Sequence, residues 1–306
     1  MASHGAEQAH WIARSIAHTV FHLSTHGTPW IRRLVSRKTQ VEVIRSESLE
    51  ITTPDGVKLG ALHIPAAPSA APRLPIVMSH GWMEVKEIHL RNAQMLAAAG
   101  HEVLLYDMRC HGQSIPGRGH DNPKGKFCFG ALEMQDNRWA IDEMQRRGWA
   151  GNKVITMGYS TSASLALMHA PTDERVAGVV AFAPYASLAE AVDTFRIMIF
   201  RHVPAEWLHR GFRAAAVELG FKVEDQTVER AIRELRVPTL LVSGDRDIHL
   251  PTERHTRYLS NLGSPEFARY VEIKGAGHLS IVRKHWPALD EEVKAFCATV
   301  SAQHPR

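Results

Sequence analysis

The chain has 306 residues, of which 44% are hydrophobic and 22% are charged, and its formal net charge at pH 7 is +4. This composition is typical of a globular protein with a sizeable core, and it excludes a disordered chain, a collagen-like repeat and a bundle of membrane helices. So small a positive surplus, spread over a large surface, gives little support to nucleic-acid binding, and no nucleic-acid partner is expected.

Cysteine usage and the N-terminal residues indicate a cytoplasmic protein. Cys110, Cys128 and Cys297 are far apart and form no CxxC pair, which argues against a disulfide framework or a zinc site and fits a reducing compartment. The first residues lack a basic start followed by an apolar run, and no stretch reaches the roughly 18 apolar residues of a membrane span. We therefore expect neither secretion nor membrane spanning.

Residues 1–40 are predicted to form an amphipathic helical arm. Thr28 and Pro29 suit the start of a second helix within it. The apolar residues with helical spacing are Trp11, Ile12, Ile16, Val20 and Leu23. Such an arm is consistent with docking on its own sheet, with a homodimer contact, or with peripheral contact with a lipid surface, and the sequence leaves these roles open.

The segments 41–185 and 237–306 are predicted to form one α/β core. Alternating segments at 41–51 and 57–64 precede short apolar runs that alternate with helical patterns, as parallel βαβ units require. The pattern predicts a mostly parallel, doubly wound sheet of about eight strands. The further strands are predicted at 75–79, 102–106, 153–158, 177–183, 238–243 and 268–273, and the helices at 86–99, 131–147, 161–170, 252–260 and 284–299.

Residues 186–236 interrupt this alternation. Two or three helical patterns stand here between two strands, and we expect them to form an inserted helical lid over a pocket. Phe200 and Trp207 are candidate substrate-binding side chains of this lid, and plain helical packing is the alternative for each.

The segment KVITMGYSTSASLALMHA joins an apolar strand directly to a helix at Ser160. Such a sharp turn strains its central residue, so that small residues are needed two positions before and after it, and Gly158 and Ser162 occupy those positions. The pattern resembles the G-x-S-x-G nucleophile elbow of the α/β-hydrolase superfamily, with Ser162 in place of the final glycine.

The resemblance implies a catalytic triad in the chain order Ser, Asp, His. Asp245 and Asp247 both lie on the loop of LLVSGDRDIHLP, and the superfamily's G-x-x-D-x-x-x-P spacing selects Asp247, which leaves Asp245 as a turn residue. His278 follows the last strand on a Gly-flanked loop, at the position of the superfamily's catalytic histidine. The resemblance thus assigns Ser160 as nucleophile, Asp247 as orienting acid and His278 as base.

The resemblance also implies two backbone N–H donors for the oxyanion formed during acyl transfer. One is the amide of Thr161, and the other is the amide of Trp82 in a segment that resembles the superfamily's HG-x motif. His80 is expected to brace this loop by hydrogen bonding. Met83 and Tyr159 are further candidates for contact with substrate.

The segment LLYDMRCHGQS at 104–114 resembles a second superfamily stretch, D-x-R-G-x-G-x-S, with Cys110 replacing its first glycine. Asp107, Arg109 and His111 are expected to bind loop backbone near the site, and Cys110 is expected to be a shielded small residue.

The resemblance spans about residues 45–300 and implies a serine hydrolase that cleaves a carboxylic ester of a small to medium apolar acyl substrate. Thioesterase, peptidase and acyltransferase chemistry would use the same three side chains. A non-catalytic ligand-binding protein of the same fold is the rival interpretation, and the presence of all three triad residues disfavours it. HExxH, GxGxxG and GxxxxGK[ST] motifs are missing from the sequence, so no metal and no cofactor is expected.

Overall fold

A computed structural model describes residues 46–114, 127–199 and 202–304. Eight strands in these parts of the chain form one sheet, in the order β1-β2-β4-β3-β5-β6-β7-β8. Their bounds are β1 Glu47–Thr52, β2 Lys58–Ile64, β3 Ile76–Ser79, β4 Val103–Tyr106, β5 Val154–Tyr159, β6 Val176–Phe182, β7 Thr239–Gly244 and β8 Ala268–Ile273. Strand β2 pairs antiparallel with β1 and β4, and all other neighbours pair parallel. The mostly parallel α/β sheet predicted from the sequence is thereby confirmed, and the predicted arm at 1–40 lies outside the described residues.

The central strands are continuous apolar runs because helices cover both faces of the sheet. Every residue of β3 to β7 is buried. Helices α1 (Leu90–Ala98) and α8 (Trp286–Ala302) pack on one face, and α2 (Glu133–Arg146) and α3 (Thr161–His169) pack on the other. The carboxyl ends of the parallel strands therefore meet at one edge of the sheet, where their loops carry polar side chains.

Three α-helices lie in the described residues between β6 and β7: α4 (Leu188–Ile199), α5 (Ala205–Leu219) and α6 (Val228–Glu234). Two backbone hydrogen bonds of 2.8 Å close the base of this insertion. The Leu188 N–H donates to the Gln226 carbonyl, and the Val228 N–H donates to the Ala186 carbonyl. Helix α6 packs against α3, whereas α4 packs against α5. None of the helices in the described ranges has the length and apolar character needed to cross a bilayer.

Helix α7 (Thr256–Leu262) begins later than the sequence predicts. The expected start at 252 is wrong, because residues 252–255 form turns and His255 has φ −128° and ψ −95°, outside the helical region. The His255 ring accepts a hydrogen bond from the Ala186 N–H at 3.2 Å. The loop after β7 is therefore longer than expected, and it is attached to the base of the helical insertion.

The loop after β4 is held by buried charges. The Nε atom of Arg109, which is fully buried, donates to both carboxylate oxygens of Asp136 on α2 at 3.0 Å, and its Nη1 atom lies 3.0 Å from Asp55. Asp107 binds loop backbone as expected, since it accepts hydrogen bonds from the Lys86 and Gln113 N–H groups at 2.8 and 2.9 Å. Arg109 was also expected to bind loop backbone, and for its side chain this is wrong, because the side chain binds carboxylates instead. A guanidinium fork matches carboxylates better than single carbonyls.

We predict that Asp136→Ala lowers the free energy of unfolding by about 3–5 kcal/mol, because it leaves the Arg109 charge buried without its main partner. Urea unfolding at pH 7 measures the loss. The matched control is Glu234→Ala, which removes an exposed ion pair with Arg230 and should cost less than about 1 kcal/mol. Similar small losses in both variants would contradict a structural role for the buried pair.

Candidate active site

Ser160 stands where β5 passes directly into α3. Its backbone has φ 53° and ψ −117°, a conformation that side-chain-bearing residues rarely adopt. The turn is tight enough that a Cβ at Gly158 would lie 2.3 Å from the Ser162 carbonyl oxygen, so this position admits only glycine. The turn thereby raises the Ser160 side chain at the carboxyl end of a central strand.

Ser162, which takes the position of the expected glycine, supports the turn with its hydroxyl group. The hydroxyl accepts a hydrogen bond from the Tyr159 N–H at 2.8 Å and lies 3.0 Å from the Ser79 carbonyl, to which it donates. These contacts join the turn to the end of β3. The added polar group is therefore satisfied, and it ties two neighbouring strands together beside Ser160.

His278 and Asp247 extend from Ser160 in a continuous hydrogen-bonded line. The Nε2 atom of His278 lies 3.0 Å from the Ser160 Oγ, and its Nδ1 atom lies 2.6 Å from Asp247 Oδ2. The other Asp247 oxygen accepts hydrogen bonds from the N–H groups of His249 and Leu250 at 2.9 and 2.8 Å. This arrangement gives His278 an Nδ1–H that donates to Asp247 and a free lone pair on Nε2 that faces the serine.

Asp245, the competing acid, lies elsewhere. It is exposed and accepts a hydrogen bond from the Gly275 N–H at 2.6 Å, which fixes the turn before His278.

The Tyr159 hydroxyl donates to the His278 carbonyl, and burial raises the pKa of this phenol well above its usual value, so that it remains a donor. The loop after β7 and the elbow thus hold the histidine from different sides.

The loop after β3 lies directly over Ser160. A Cβ at Gly81 would lie 3.3 Å from the Ser160 Cβ, so the backbone approaches the serine closely. His80 Nδ1 donates to the Gly81 carbonyl at 2.7 Å, and its Nε2 accepts from the Met108 N–H at 3.2 Å. Because the C=O and N–H of a trans peptide point in opposite directions, His80 also sets the direction of the Trp82 N–H. Burial lowers the pKa of His80 to about 4, and the ring is therefore neutral.

A second neutral histidine holds the next residue of this loop. Met83 has φ 60°, and its N–H donates to His111 Nε2 at 3.2 Å, while His111 Nδ1 donates to the Arg109 carbonyl at 3.0 Å. Burial lowers the pKa of His111 to about 3.

The Glu84 carboxylate accepts from the Gly81 N–H at 3.0 Å and pairs with Arg283, also at 3.0 Å. The loop is therefore fixed by its own side chains and by His111 and Arg283 from two other segments.

A cavity of about 220 Å³ opens in front of Ser160. Its walls are mainly apolar, and the rings of Trp82 and Phe129 meet there with centroids 5.7 Å apart. Helix α4 contributes Ala191 and Thr194. The other lining residues are Gly81, Met83, Glu84, Tyr159, Ser160, Thr161, Tyr185, His249, Leu250, His278 and Leu279.

A larger groove of about 730 Å³ lies at the opposite end of the sheet, where β5, β6 and β7 begin. Two of its basic side chains already bind protein groups, since Lys153 donates to the Glu174 carbonyl and Arg175 binds Asp173. The smaller cavity is chemically the more informative one, because it contains the hydrogen-bonded serine and histidine.

Comparison with known proteins agrees with this geometry. The profile described as "Alpha/beta hydrolase family" matches residues 76–298, which include the elbow and both loops that follow β7 and β8. The chain belongs to the α/β-hydrolase family.

Individual members of the family are only distantly similar. The curated protein "Polyketide transferase af380" of Aspergillus fumigatus is 34% identical over 144 residues, which are 46% of this chain and 46% of that protein. The esterase Pf2001 of Pyrococcus furiosus has a TM-score of 0.65 at 20% identity, covering 88% of this chain and 93% of that chain. Est1E of Butyrivibrio proteoclasticus with bound ferulic acid has a TM-score of 0.64 at 18% identity, covering 83% and 99%. At these identities the two structures show a shared fold.

The structure brings most of the α/β-hydrolase site predicted from the sequence to one place. Ser160, His278, Trp82, Met83, Tyr159 and Thr161 line the cavity, and Asp247 contacts His278 behind it. Trp207 is a correction: it lies on α5, is 37% exposed, and does not line this cavity. Helix α5 instead buries Leu208 and Phe212, so that Trp207 faces away. Phe200 lies outside the described residues.

Several cavity residues were not found from the sequence. Phe129 and Tyr185 lie on loops without a recognisable motif, and Ala191 and Thr194 are small residues whose pattern does not distinguish them from ordinary helix-packing positions. His249 had a usable signal, because it stands two residues after Asp247 on the same loop. This proximity in sequence to an expected triad residue could have indicated it.

We predict that three buried histidines make the fold sensitive to acid. Burial lowers the pKa of His80, His111 and His255 from 6.5 to about 4, 3 and 4. As the pH falls below 6.5, the unfolded chain binds protons that the folded chain does not. The free energy of unfolding therefore falls toward pH 4, by up to about 1.4 kcal/mol per pH unit for each histidine.

Urea unfolding between pH 7.5 and pH 5 tests this, with His111→Gln as the comparison. Glutamine keeps a donor and an acceptor but does not titrate, so that the variant should lose stability less steeply than the unmodified protein. Parallel pH dependences would contradict the assignment of a neutral, buried His111.

Proposed function

We propose that this chain is a serine hydrolase that cleaves a carboxylic ester of a small to medium apolar acyl group through an acyl-enzyme intermediate. One observation carries the proposal: Ser160 Oγ, His278 and Asp247 form a hydrogen-bonded line with distances of 3.0 and 2.6 Å, and its serine end opens into the cavity. Nucleophile, base and orienting acid in this arrangement are what acyl transfer by a serine requires.

Each residue then has a defined role. His278 Nε2 takes the Ser160 proton as Oγ bonds to the ester carbonyl carbon, and Asp247 stabilises the resulting imidazolium. The amides of Trp82 and Thr161 are the proposed donors to the oxyanion. His278 returns the proton to the leaving alcohol as the ester C–O bond breaks. Water, deprotonated by the same histidine, then attacks the acyl carbon, and the acid is released as the bond to Ser160 Oγ breaks and His278 returns the proton to Oγ.

The cavity supports a short to medium acyl group. Its 220 Å³ is below the roughly 300–1,000 Å³ of pockets for drug-sized ligands. Each methylene that enters apolar surroundings adds about 0.8 kcal/mol, or roughly fourfold in binding, until the space is full. Activity should therefore rise over the first acyl carbons and then fall.

Acyl transfer to an acceptor other than water is the second candidate, and the relative named polyketide transferase favours it. Both reactions share the acyl-enzyme and differ in whether water or an alcohol, amine or thiol attacks it. Product analysis in the presence of added alcohols separates them, since a transferase forms the new ester even when water is in large excess. Thioester or amide cleavage would use the same three side chains.

A fluorophosphonate probe tests for an activated serine directly. Stoichiometric labelling of Ser160 is the expected result, and Ser160→Ala should remove it. A protein that resists labelling while it binds apolar acids would be a non-catalytic binding protein of the same fold.

We predict that Ser160→Ala and Asp247→Asn each lower kcat by roughly 10⁴-fold, the first by removing the nucleophile and the second by favouring the wrong tautomer of His278. Hydrolysis of a short-chain activated ester measures both. Asp245→Asn is the matched control, because this exposed neighbour contacts Gly275 and not His278. If the Asp245 variant is the more damaged one, the orienting acid is misassigned.

We also predict that Phe129→Ala moves the optimum acyl chain to greater length, because it removes a ring from the cavity wall. An acyl series from two to ten carbons gives the profile, with about fourfold in kcat/KM expected for each additional buried methylene. Trp207→Ala is the control and should leave the profile unchanged. A shifted optimum in Trp207→Ala, with an unchanged optimum in Phe129→Ala, would show that the acyl group binds beneath α5 and not beside Phe129.

A further inference from the structure

His249 introduces a second imidazole into the cavity beside the proposed base. The ring centroids of His249 and His278 are 5.3 Å apart, and both residues line the cavity. The His249 N–H donates to Asp247 at 2.9 Å, so the contact that orients the acid also anchors the backbone of His249. The position of this ring is therefore linked to the triad itself.

The imidazole of His249 differs from the buried histidines of this site. His80, His111 and His255 each use a ring nitrogen to bind protein backbone. The His249 ring is half-buried, and neither of its nitrogens makes a hydrogen bond to the described residues. Burial and the neighbouring His278 lower its pKa from 6.5, so that at neutral pH it presents one N–H donor and one nitrogen acceptor.

The reaction places a particular part of the substrate at this point. His278 Nε2 must deliver a proton to the leaving oxygen, and proton transfer requires hydrogen-bond distance. The departing alcohol therefore lies against the His278 ring, within reach of groups that surround that ring. Leu279, which is 47% exposed, offers apolar surface on the same loop as His278.

We propose that His249 forms a polar subsite for the alcohol part of the ester and hydrogen-bonds an oxygen that this alcohol carries. The inference rests on the proposed function. The preferred substrates would be esters of hydroxylated alcohols, and esters of simple alkyl alcohols would be poorer substrates. An alkyl group that covered the His249 ring would take its donor and acceptor out of water without pairing them, which disfavours the alkyl substrate.

Two esters with one acyl group test the subsite: propyl butyrate and 2,3-dihydroxypropyl butyrate. The unmodified protein should have the higher kcat/KM for the dihydroxypropyl ester. His249→Leu should lower the ratio of the two kcat/KM values about three- to tenfold, the effect of one net hydrogen bond. His249→Gln, which keeps a donor and an acceptor, should retain most of the ratio.

Ile248→Ala is the matched control, because Ile248 is the adjacent residue, is 78% exposed and does not line the cavity. The Ile248→Ala variant should show the same ratio of the two kcat/KM values as the unmodified protein. An unchanged ratio in His249→Leu overturns the subsite, and so does an equal loss with both esters, which would place His249 in support of His278. Failure of the unmodified protein to cleave either ester or to react with fluorophosphonate would instead overturn the proposed function.

Discussion

The backbone conformation of Ser160 is the constraint on which the site depends. One residue must reverse the chain between β5 and α3, and a non-glycine residue with φ 53° carries a cost of about 1–3 kcal/mol. Gly158 makes the turn sterically feasible, and the Ser162 hydroxyl joins it to β3 and β5. The strain holds the serine hydroxyl away from the sheet, next to the first turn of a helix and opposite His278. Loss of this conformation would separate the three side chains that the sheet edge brings together.

The loop above Ser160 is organised by residues that do not line the cavity. His80 and His111 are neutral because they are buried, and each uses one ring nitrogen as donor and the other as acceptor. A charged ring could not accept either amide, so protonation would release the loop. Arg109 supplies the carbonyl that holds His111, and its own charge is held by Asp136. The ion pair at the loop after β4 is thereby connected, through His111, to the direction of the Met83 amide.

Sequence patterns predicted the sheet and selected the three side chains that the structure joins by hydrogen bonds, because both depend on local or ordered signals. Buried parallel strands are apolar throughout, and the elbow needs small residues at fixed spacing around Ser160. The cavity walls depend on tertiary packing. Phe129 reaches the site from a loop without a motif, and Trp207 was misplaced because aromatic character does not show which side of a helix faces the pocket. The start of α7 was misjudged for a related reason, since His255 is held in a turn by Ala186 from a distant segment.

A covalent acyl group on Ser160 is the most direct test of the account. The protein is mixed with an activated butyrate ester, quenched in acid within the first turnover, digested and analysed by mass spectrometry. The account predicts that the peptide containing Ser160 gains the mass of one butyryl group, and that the gain disappears as the acyl-enzyme hydrolyses. Turnover of the ester with an unmodified Ser160 peptide, or with the acyl group on another residue, would contradict it.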